Sequence, residues 1–202
     1  QLVRPLTMGA DMVIHSVTKY LAGHGNITAG VICGHDKELL KQAIEYSKWV
    51  GHMLSPDDAA RLEDQLKTFE VRFEKQCSNA AYLASVLQKH PKVERVLYPG
   101  LSQHPTHDLA KELFGNRGYG GMITFDLAGS DDGVKKKRRD GFIEKVSGII
   151  PLIPTLGDVE TTLIPVEAVW GDKYPLPGMI RLSVGIERIE KLEQTINRAL
   201  DE

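Results

Sequence analysis

Residues 11–25 read DMVIHSVTKYLAGHG, and Lys19 stands where the apolar run that opens this stretch gives way to a glycine-rich segment. The run predicts a buried strand, and Gly23 and Gly25 predict a turn after it. Lysine is rarely buried without a partner, and loops at strand ends commonly carry chemistry. The alternative is a lysine whose ammonium group reaches solvent along its aliphatic stem. The neighbouring residues favour chemistry.

The hydroxyl side chains before Lys19 indicate a phosphate site. Ser16 and Thr18 precede the lysine by three positions and one position, and hydroxyls at a strand end donate to phosphate oxygens together with backbone N–H groups. A phosphate-bearing electrophile held beside an amine suggests a Schiff base, for which the amine must be neutral. Pyridoxal 5'-phosphate meets all of these demands.

Six segments of the chain resemble those of a known enzyme family. They are GADMVIHSVTKYLAGHGNITAG (9–30), LSPDDA (54–59), YPGL (98–101), GGM (120–122), TLGDVE (155–160) and IRLSVGIE (180–187). In this order they are similar to the Cys/Met-metabolism pyridoxal-phosphate enzymes. That family includes cystathionine γ-synthase, cystathionine γ- and β-lyases, methionine γ-lyase and the O-acyl-homoserine sulfhydrylases. The resemblance covers nearly the whole chain.

The resemblance implies an α/β fold, namely the end of the large domain of an aspartate-aminotransferase-like (fold type I) enzyme followed by a carboxy-terminal α+β domain. Family members are about twice as long, and the half that normally precedes Gln1 carries a glycine loop for the phosphate, an aromatic ring that stacks on the pyridine and an aspartate that pairs with its nitrogen. We therefore expect a carboxy-terminal portion. The resemblance also implies a homotetramer, a dimer of dimers with shared active sites.

The hydrophobic pattern divides the chain into three parts. Residues 1–54 are predicted to end the cofactor-binding α/β domain, in which a helix capped by Asp36 runs to about Val50. Residues 55–90 are predicted to form one long connecting helix, because a single apolar stripe continues through most of them. Residues 91–202 are predicted to form the α+β domain.

The last part alternates short strands with helices. Strands are predicted at 93–97, 122–127, 149–153 and 179–186, and helices near 109–114, near 142 and at 189–200. This pattern is typical of a mostly antiparallel sheet that is covered on one face by helices.

Arg181 is the second residue to which the sequence assigns chemistry. In IRLSVGIE the even positions share one face of a strand, so Arg181 and Ser183 project from the opposite face. A guanidinium grips a carboxylate bidentately, although an arginine here is also compatible with a solvent-facing role. The resemblance implies that Arg181 binds the substrate carboxylate. It also implies that Thr155, at the family's serine position, helps to bind that group and contacts Lys19.

We expect a pyridoxal-phosphate-dependent lyase or transferase of methionine or cysteine biosynthesis. The reaction would be γ-elimination or γ-replacement on cystathionine, methionine or O-acyl-homoserine. Lys19 would hold the cofactor and move protons, and Ser16 and Thr18 would hold its phosphate. The alternative is a catalytically silent fragment that acts only in oligomer assembly.

The substrate within this family stays open. Members usually carry a His-Pro-Ala-x-Met-x-His segment where this chain has IPVEAVWGDKY at 164–174. Glu167 and Trp170 are accordingly either pocket residues or parts of a surface loop.

Composition favours a cytoplasmic protein without nucleic-acid or membrane partners. The formal net charge is −2, which gives no electrostatic attraction to nucleic acid. The sequence contains no run of about 18 apolar residues, so no membrane span is predicted. Cys33 and Cys77 are predicted to be free thiols, and the histidines lack metal-ligand spacing, so no metal site is expected. The expected partners are an amino-acid substrate and further copies of the chain.

Overall fold

The computed structural model of the chain describes residues 1–173 and 176–202, without the side chains of Trp170 and Asp172. In chain order its elements are β1 (Met12–Ser16), β2 (Gly30–Gly34), α1 (Lys37–Val50), α2 (Pro56–Leu66), α3 (Phe69–Lys89), β3 (Val93–Leu97), α4 (His107–Phe114), β4 (Met122–Leu127), α5 (Asp132–Val146), β5 (Thr162–Pro165), α6 (Val166–Trp170), β6 (Met179–Ser183) and α7 (Ile189–Asp201). The fold is therefore mixed α/β. Within the described ranges, no helix is both long and apolar enough to cross a membrane.

β1 and β2 form a two-stranded antiparallel sheet in which Ser16 pairs with Gly30 and Met12 with Gly34. The predicted order of strand, lysine-bearing turn and strand is present. The expectation that β1 is buried is wrong for the described residues, since Ile14 is 74% exposed. The physical reason is that nothing in the described part of the chain covers that face of the sheet.

The helix starts follow from their capping residues. The Asp36 carboxylate accepts from the N–H groups of Glu38 (2.8 Å) and Leu39 (3.1 Å) at the start of α1. The Ser55 hydroxyl accepts from the N–H of Asp58 at 3.1 Å at the start of α2. Side-chain oxygens at these positions satisfy N–H groups that lack an intrahelical partner.

The single connecting helix predicted over residues 55–90 is wrong in its continuity. α2 ends at Leu66, and α3 begins at Phe69. Between them the N–H groups of Lys67 and Thr68 bond to carbonyls three residues back, each at 3.3 Å, and Thr68 has dihedrals outside the helical region. The apolar stripe hides this break because no glycine or proline marks it. The boundaries of the predicted domains stay predictions.

The second sheet is antiparallel throughout, with strand order β3-β4-β6-β5. β3 and β4 coincide with their predicted ranges, whereas β6 ends at Ser183. The strand predicted at 149–153 is wrong, because only Leu152 makes a single bridge there, to Leu163. Pro151 and Pro154 have no N–H to donate to a ladder, and β5 forms the edge instead.

The main core lies where the second sheet meets α3, α5 and α7. Alternate residues of the strands point into it, as the period of two in a strand requires. Its buried members include Leu83, Leu87, Ile123, Phe125, Phe142, Ile180, Leu182, Leu192 and Ile196. This packed unit supports β6 and therefore the backbone of Arg181.

Exposed apolar side chains gather on another part of the surface, formed by α1 and the two-stranded sheet. They include Ile14, Ile32, Ile44, Tyr46, Trp49 and Met53. Exposed apolar side chains that share a surface commonly mark a contact with another chain.

Replacing Phe125 with alanine tests the packing of the main core. Phe125 is fully buried, and its ring meets that of Phe142 edge-on with centroids 5.7 Å apart. We expect Phe125→Ala to lower the free energy of unfolding by about 3–5 kcal/mol, measured by urea denaturation. The control is Val71→Ala, at a side chain that is 72% exposed. Equal losses in the two variants would contradict the assigned core.

Candidate functional site

Lys19 lies in a single helical turn that follows β1. The turn covers Val17–Leu21, and its helical geometry is broken at Lys19, where φ is −88° and ψ is −132°. Before the lysine, the N–H groups of Val17 (2.9 Å) and Thr18 (3.3 Å) donate to the carbonyl of Ala29. After it, the N–H of Gly23 donates to the Lys19 carbonyl at 2.8 Å. The backbone of the lysine is therefore held on both sides.

Thr155 connects Lys19 to Arg181. Lys19 Nζ donates to Thr155 Oγ1 at 2.9 Å, across a sequence separation of 136 positions. Arg181 Nη2 donates to the carbonyl oxygen of the same threonine at 3.0 Å and to that of Pro154 at 3.3 Å. Three residues singled out from the sequence thus meet in one place, with the two basic side chains bound to different oxygens of Thr155.

Arg181 keeps a donor that has no acceptor. Burial lowers the pKa of Arg181, and the nearby Tyr20 partly opposes that change. A guanidinium nonetheless stays charged near neutral pH, because its ordinary pKa is so high. In the described part of the chain, the buried Nε has no hydrogen-bond partner. A buried, charged donor without an acceptor suits an anionic group or an ordered water.

Tyr20 follows Lys19 and has an unusual hydroxyl. Burial raises the pKa of Tyr20 to about 12, with Gly121 and Ser183 partly opposing the shift. The hydroxyl is buried and makes no hydrogen bond of good geometry to any described residue. Its ring packs edge-on against Phe73 with centroids 5.2 Å apart. Sequence reasoning missed this residue, whose only signal is its position beside the lysine.

Gly157 brings the Thr155 loop against the lysine turn. Its φ is +84°, and a Cβ there would lie 2.6 Å from the backbone nitrogen of Tyr20 and 3.0 Å from the carbonyl carbon of Lys19. The N–H of Gly157 donates to Ser183 Oγ at 2.9 Å. Glycine alone combines this conformation with this closeness. The contact fixes how far Thr155 lies from Lys19.

Ser16 and Thr18 are placed differently from each other. Ser16 is exposed at the end of β1. Thr18 Oγ1 accepts from the N–H of Ala29 at 3.0 Å and makes a long 3.4 Å contact with the carbonyl of the same residue. Its hydroxyl hydrogen is therefore weakly committed, and a phosphate would be a stronger acceptor. The phosphate-binding role of both residues stays a prediction.

One face of α3 carries buried polar side chains that sequence reasoning missed. Gln76 Nε2 donates to the carbonyl of Asp158 at 2.7 Å, and Asn79 Nδ2 donates to the carbonyl of Gly185 at 3.1 Å. Arg72 donates to carbonyls of the lysine turn. The available signal was their spacing of four and three, which places them on one helix face. We call these three residues the polar face of α3.

Glu167 makes its contacts with side chains of α5 and not with Lys19. Its carboxylate accepts from Arg139 Nη1 at 2.6 Å and lies 3.7 Å from Lys136 Nζ. The hydrogen bond from Arg139 is the main reason that the pKa of Glu167 is lowered. Glu167 therefore joins α6 to α5. The side chain of Trp170, the other residue considered for the pocket, lies outside the described part.

Comparison with known proteins agrees with the resemblance noted in the sequence. A family model described as Cys/Met metabolism PLP-dependent enzyme matches residues 1–201. The chain is 36% identical to an L-methionine gamma-lyase of Fusobacterium nucleatum subsp. polymorphum, over 98% of the chain and 51% of that protein. It is 38% identical to a cystathionine gamma-lyase of Dictyostelium discoideum, over 98% of the chain and 51% of that protein. The predicted resemblance is confirmed.

Solved structures give the same result. A cystathionine gamma synthase from Xanthomonas oryzae pv. oryzae, in complex with aminoacrylate and cysteine, matches with a TM-score of 0.89 and 31% identity, over 99% of this chain and 52% of that chain. The chain thus spans about half the length of the curated relatives and solved structures described.

Replacing Gly157 with alanine tests the contact between the loop and the lysine turn. We expect Gly157→Ala to lower the free energy of unfolding by about 1–3 kcal/mol more than Gly51→Ala does, because its Cβ would overlap the Tyr20 backbone. Gly51 has a similar φ of +79° but nothing within 4 Å of its Cβ position. It therefore controls for backbone strain alone. Equal losses in urea denaturation would show that the close approach is absent.

Proposed function

Because this chain belongs to the Cys/Met metabolism PLP-dependent enzyme family, we propose that it carries the lysine and the carboxylate clamp of a pyridoxal-phosphate enzyme of sulfur amino-acid metabolism. The proposed reaction is γ-elimination or γ-replacement on cystathionine, methionine or an O-acyl-homoserine. The observation that carries the proposal is the bridge of Thr155 between Lys19 and Arg181. An amine-handling group and a carboxylate-binding group so close together suit an α-amino acid.

The residues present fit pyridoxal 5'-phosphate. Lys19 offers an amine, Thr18 a weakly committed hydroxyl and Ser16 an exposed one. The buried Nε of Arg181 is a charged donor that has no acceptor among the described residues, and it would donate to an anion. When bound, the cofactor supplies an aldehyde carbon that accepts an amine and a ring that draws electrons from the substrate Cα.

Lys19 and Thr155 are proposed to act together on protons. A neutral amine at Nζ takes a proton from a substrate carbon, and the resulting ammonium returns it to another. The Thr155 hydroxyl both donates and accepts, so it holds Nζ in either protonation state. The 2.9 Å contact between the two groups supports this assignment.

Arg181 is proposed to orient the substrate. Its guanidinium would bind the α-carboxylate through charge-assisted hydrogen bonds and so restrict rotation about the reacting carbon. The bonds of Nη2 to the carbonyls of Pro154 and Thr155 keep the guanidinium in place before any substrate arrives. Such preorganisation reduces the entropy lost on binding.

Oligomerisation is part of the proposal. We infer a homotetramer, a dimer of dimers with shared active sites, in a cytoplasmic enzyme whose small-molecule partner is an amino acid. The exposed apolar surface of α1 and the two-stranded sheet supports a contact there. The groups that would stack on the cofactor ring and pair with its nitrogen would come from the remainder of the protein or from a neighbouring subunit.

Covalent attachment of the cofactor to Lys19 tests the function directly. The intact protein that contains this chain should absorb visible light with pyridoxal phosphate, and borohydride should fix the cofactor to Lys19, as found by peptide mass spectrometry. Lys19→Ala should abolish both signals. Lys67→Ala, at an exposed lysine paired with Asp64, should retain them. A colourless wild-type protein would refute the enzyme proposal.

The carboxylate clamp predicts a different kinetic signature. Arg181→Lys should raise KM for the amino-acid substrate roughly 10–100-fold while borohydride still fixes the cofactor, because charged hydrogen bonds to a carboxylate contribute about 1.5–3 kcal/mol. The control is Arg139→Lys, at another buried arginine, whose partners are Glu167, Asp140 and Pro177. Steady-state kinetics on cystathionine, methionine and O-acyl-homoserines provide the measurement. An unchanged KM for every substrate turned over would exclude the clamp.

A further inference from the structure

Arg72 is buried although it carries a charge. The residue is 5% exposed, and its guanidinium donates to the carbonyl oxygens of Tyr20 (3.1 Å), Leu21 (3.0 Å) and Gln65 (3.0 Å). Nε donates to Thr68 Oγ1 at 3.0 Å. All of these acceptors are neutral oxygens, and together they engage each nitrogen of the guanidinium.

This arrangement gives Arg72 little compensation from opposite charge. Burial lowers the pKa of Arg72, and only the more distant Asp158 opposes that change. No carboxylate is among the hydrogen-bond partners that the described residues offer it. What the guanidinium supplies is a planar set of donors that reaches several carbonyls at once, which a lysine cannot do.

Two of the three carbonyls that Arg72 binds, those of Tyr20 and Leu21, come directly after Lys19. Lys19 does not have helical dihedrals. The direction of its side chain therefore depends on how the peptide groups before and after it are held. The Ala29 carbonyl fixes the peptides before it. Arg72 fixes the next two carbonyls after it, those of Tyr20 and Leu21. Buried carbonyls need a hydrogen-bond donor. Without Arg72, the carbonyls of Tyr20 and Leu21 would lose theirs, and the part of the turn after Lys19 would move.

Gly23 shows how closely the guanidinium approaches the turn. A Cβ at this position would lie 2.0 Å from Arg72 Nη1, and its φ is +69°. A side chain at position 23 would therefore displace the guanidinium or the turn. Gly23→Ala disturbs the same contact while Arg72 is retained, and its positive φ adds backbone strain in the turn itself.

We propose that Arg72 is a positioning residue for Lys19, whose guanidinium fixes the lysine turn so that Nζ stays at Thr155, where it would react with the aldehyde that the cofactor supplies. The inference rests on the proposed function, because it concerns the amine chemistry assigned to Lys19. Arg72 itself touches neither Nζ nor Thr155 through any of its hydrogen bonds. Its effect on the chemistry passes through the backbone.

The test measures how fast the intact protein joins Lys19 to pyridoxal phosphate. Cofactor-free protein is mixed with increasing pyridoxal phosphate, and the absorbance change is followed by stopped flow. Arg72→Lys and Gly23→Ala should lower the rate at saturating cofactor roughly 10–100-fold, because small misplacements of a reacting group have effects of this size. Hydrogen exchange of residues 17–23 should be faster in both variants.

Two further measurements separate positioning from general destabilisation. Arg139→Lys changes a second arginine that is also 5% exposed, and it should keep the wild-type rate. Guanidinium ion at millimolar concentration should restore part of the rate of Arg72→Ala, whereas methylammonium should not. Rescue by guanidinium and not by methylammonium would show that the turn needs the planar set of donors and that a positive charge alone does not suffice.

The outcomes distinguish the two proposals. If wild-type protein forms no adduct with pyridoxal phosphate, the proposed function fails and this inference fails with it. If wild type reacts and Arg72→Lys and Gly23→Ala react equally fast, the function stands and the positioning role is overturned. Equal slowing by Arg139→Lys also overturns it. If Arg72→Ala does not fold, Gly23→Ala decides, and a wild-type rate there refutes the inference.

Discussion

The hydrogen bonds from the polar face of α3 hold the site together. Through Arg72, Gln76 and Asn79 a single helix donates to main-chain carbonyls in the lysine turn, at Asp158 and at Gly185. The segments at Asp158 and Gly185 belong to no strand or helix, so the carbonyls of these two residues have no ladder to join. Side chains of α3 take the place of that ladder. The relative positions of parts far apart in sequence therefore depend on one helix face.

The bridge at Thr155 shows what this scaffold achieves. It brings a lysine and an arginine to the same residue, although two cations repel each other when both are charged. The hydroxyl and the carbonyl of Thr155 each take one of them, and Gly157 keeps the loop close by having no side chain. These neutral oxygens accept from Lys19 Nζ and Arg181 Nη2, but they supply no negative charge and leave Arg181 Nε without a partner among the described residues. An anionic ligand would complete such a site electrostatically.

The sequence predicted those features whose signals are local. Asp36 and Ser55 mark helix starts because a cap needs only its own next few residues, and β4 is visible from its apolar run. The break after Leu66 was missed because it contains neither glycine nor proline. Lys19 and Arg181 were singled out from their positions in the strand patterns and assigned roles with the help of the resemblance, and Thr155 came from the resemblance alone, whereas Arg72 and Tyr20 were missed. Their importance depends on which carbonyls and rings lie opposite, and helix periodicity does not contain that information.

The two-stranded sheet of β1 and β2 has a practical consequence for handling this chain. In the described structure each strand pairs on one side only, and one side chain on its surface, Ile14, is largely exposed. Unpaired strand edges recruit other strands, and a hairpin of two strands is marginal by itself. Exposed edges of this kind favour pairing between copies of the chain. Since the lysine turn follows the last residue of β1 directly, such pairing would distort the backbone that holds Lys19.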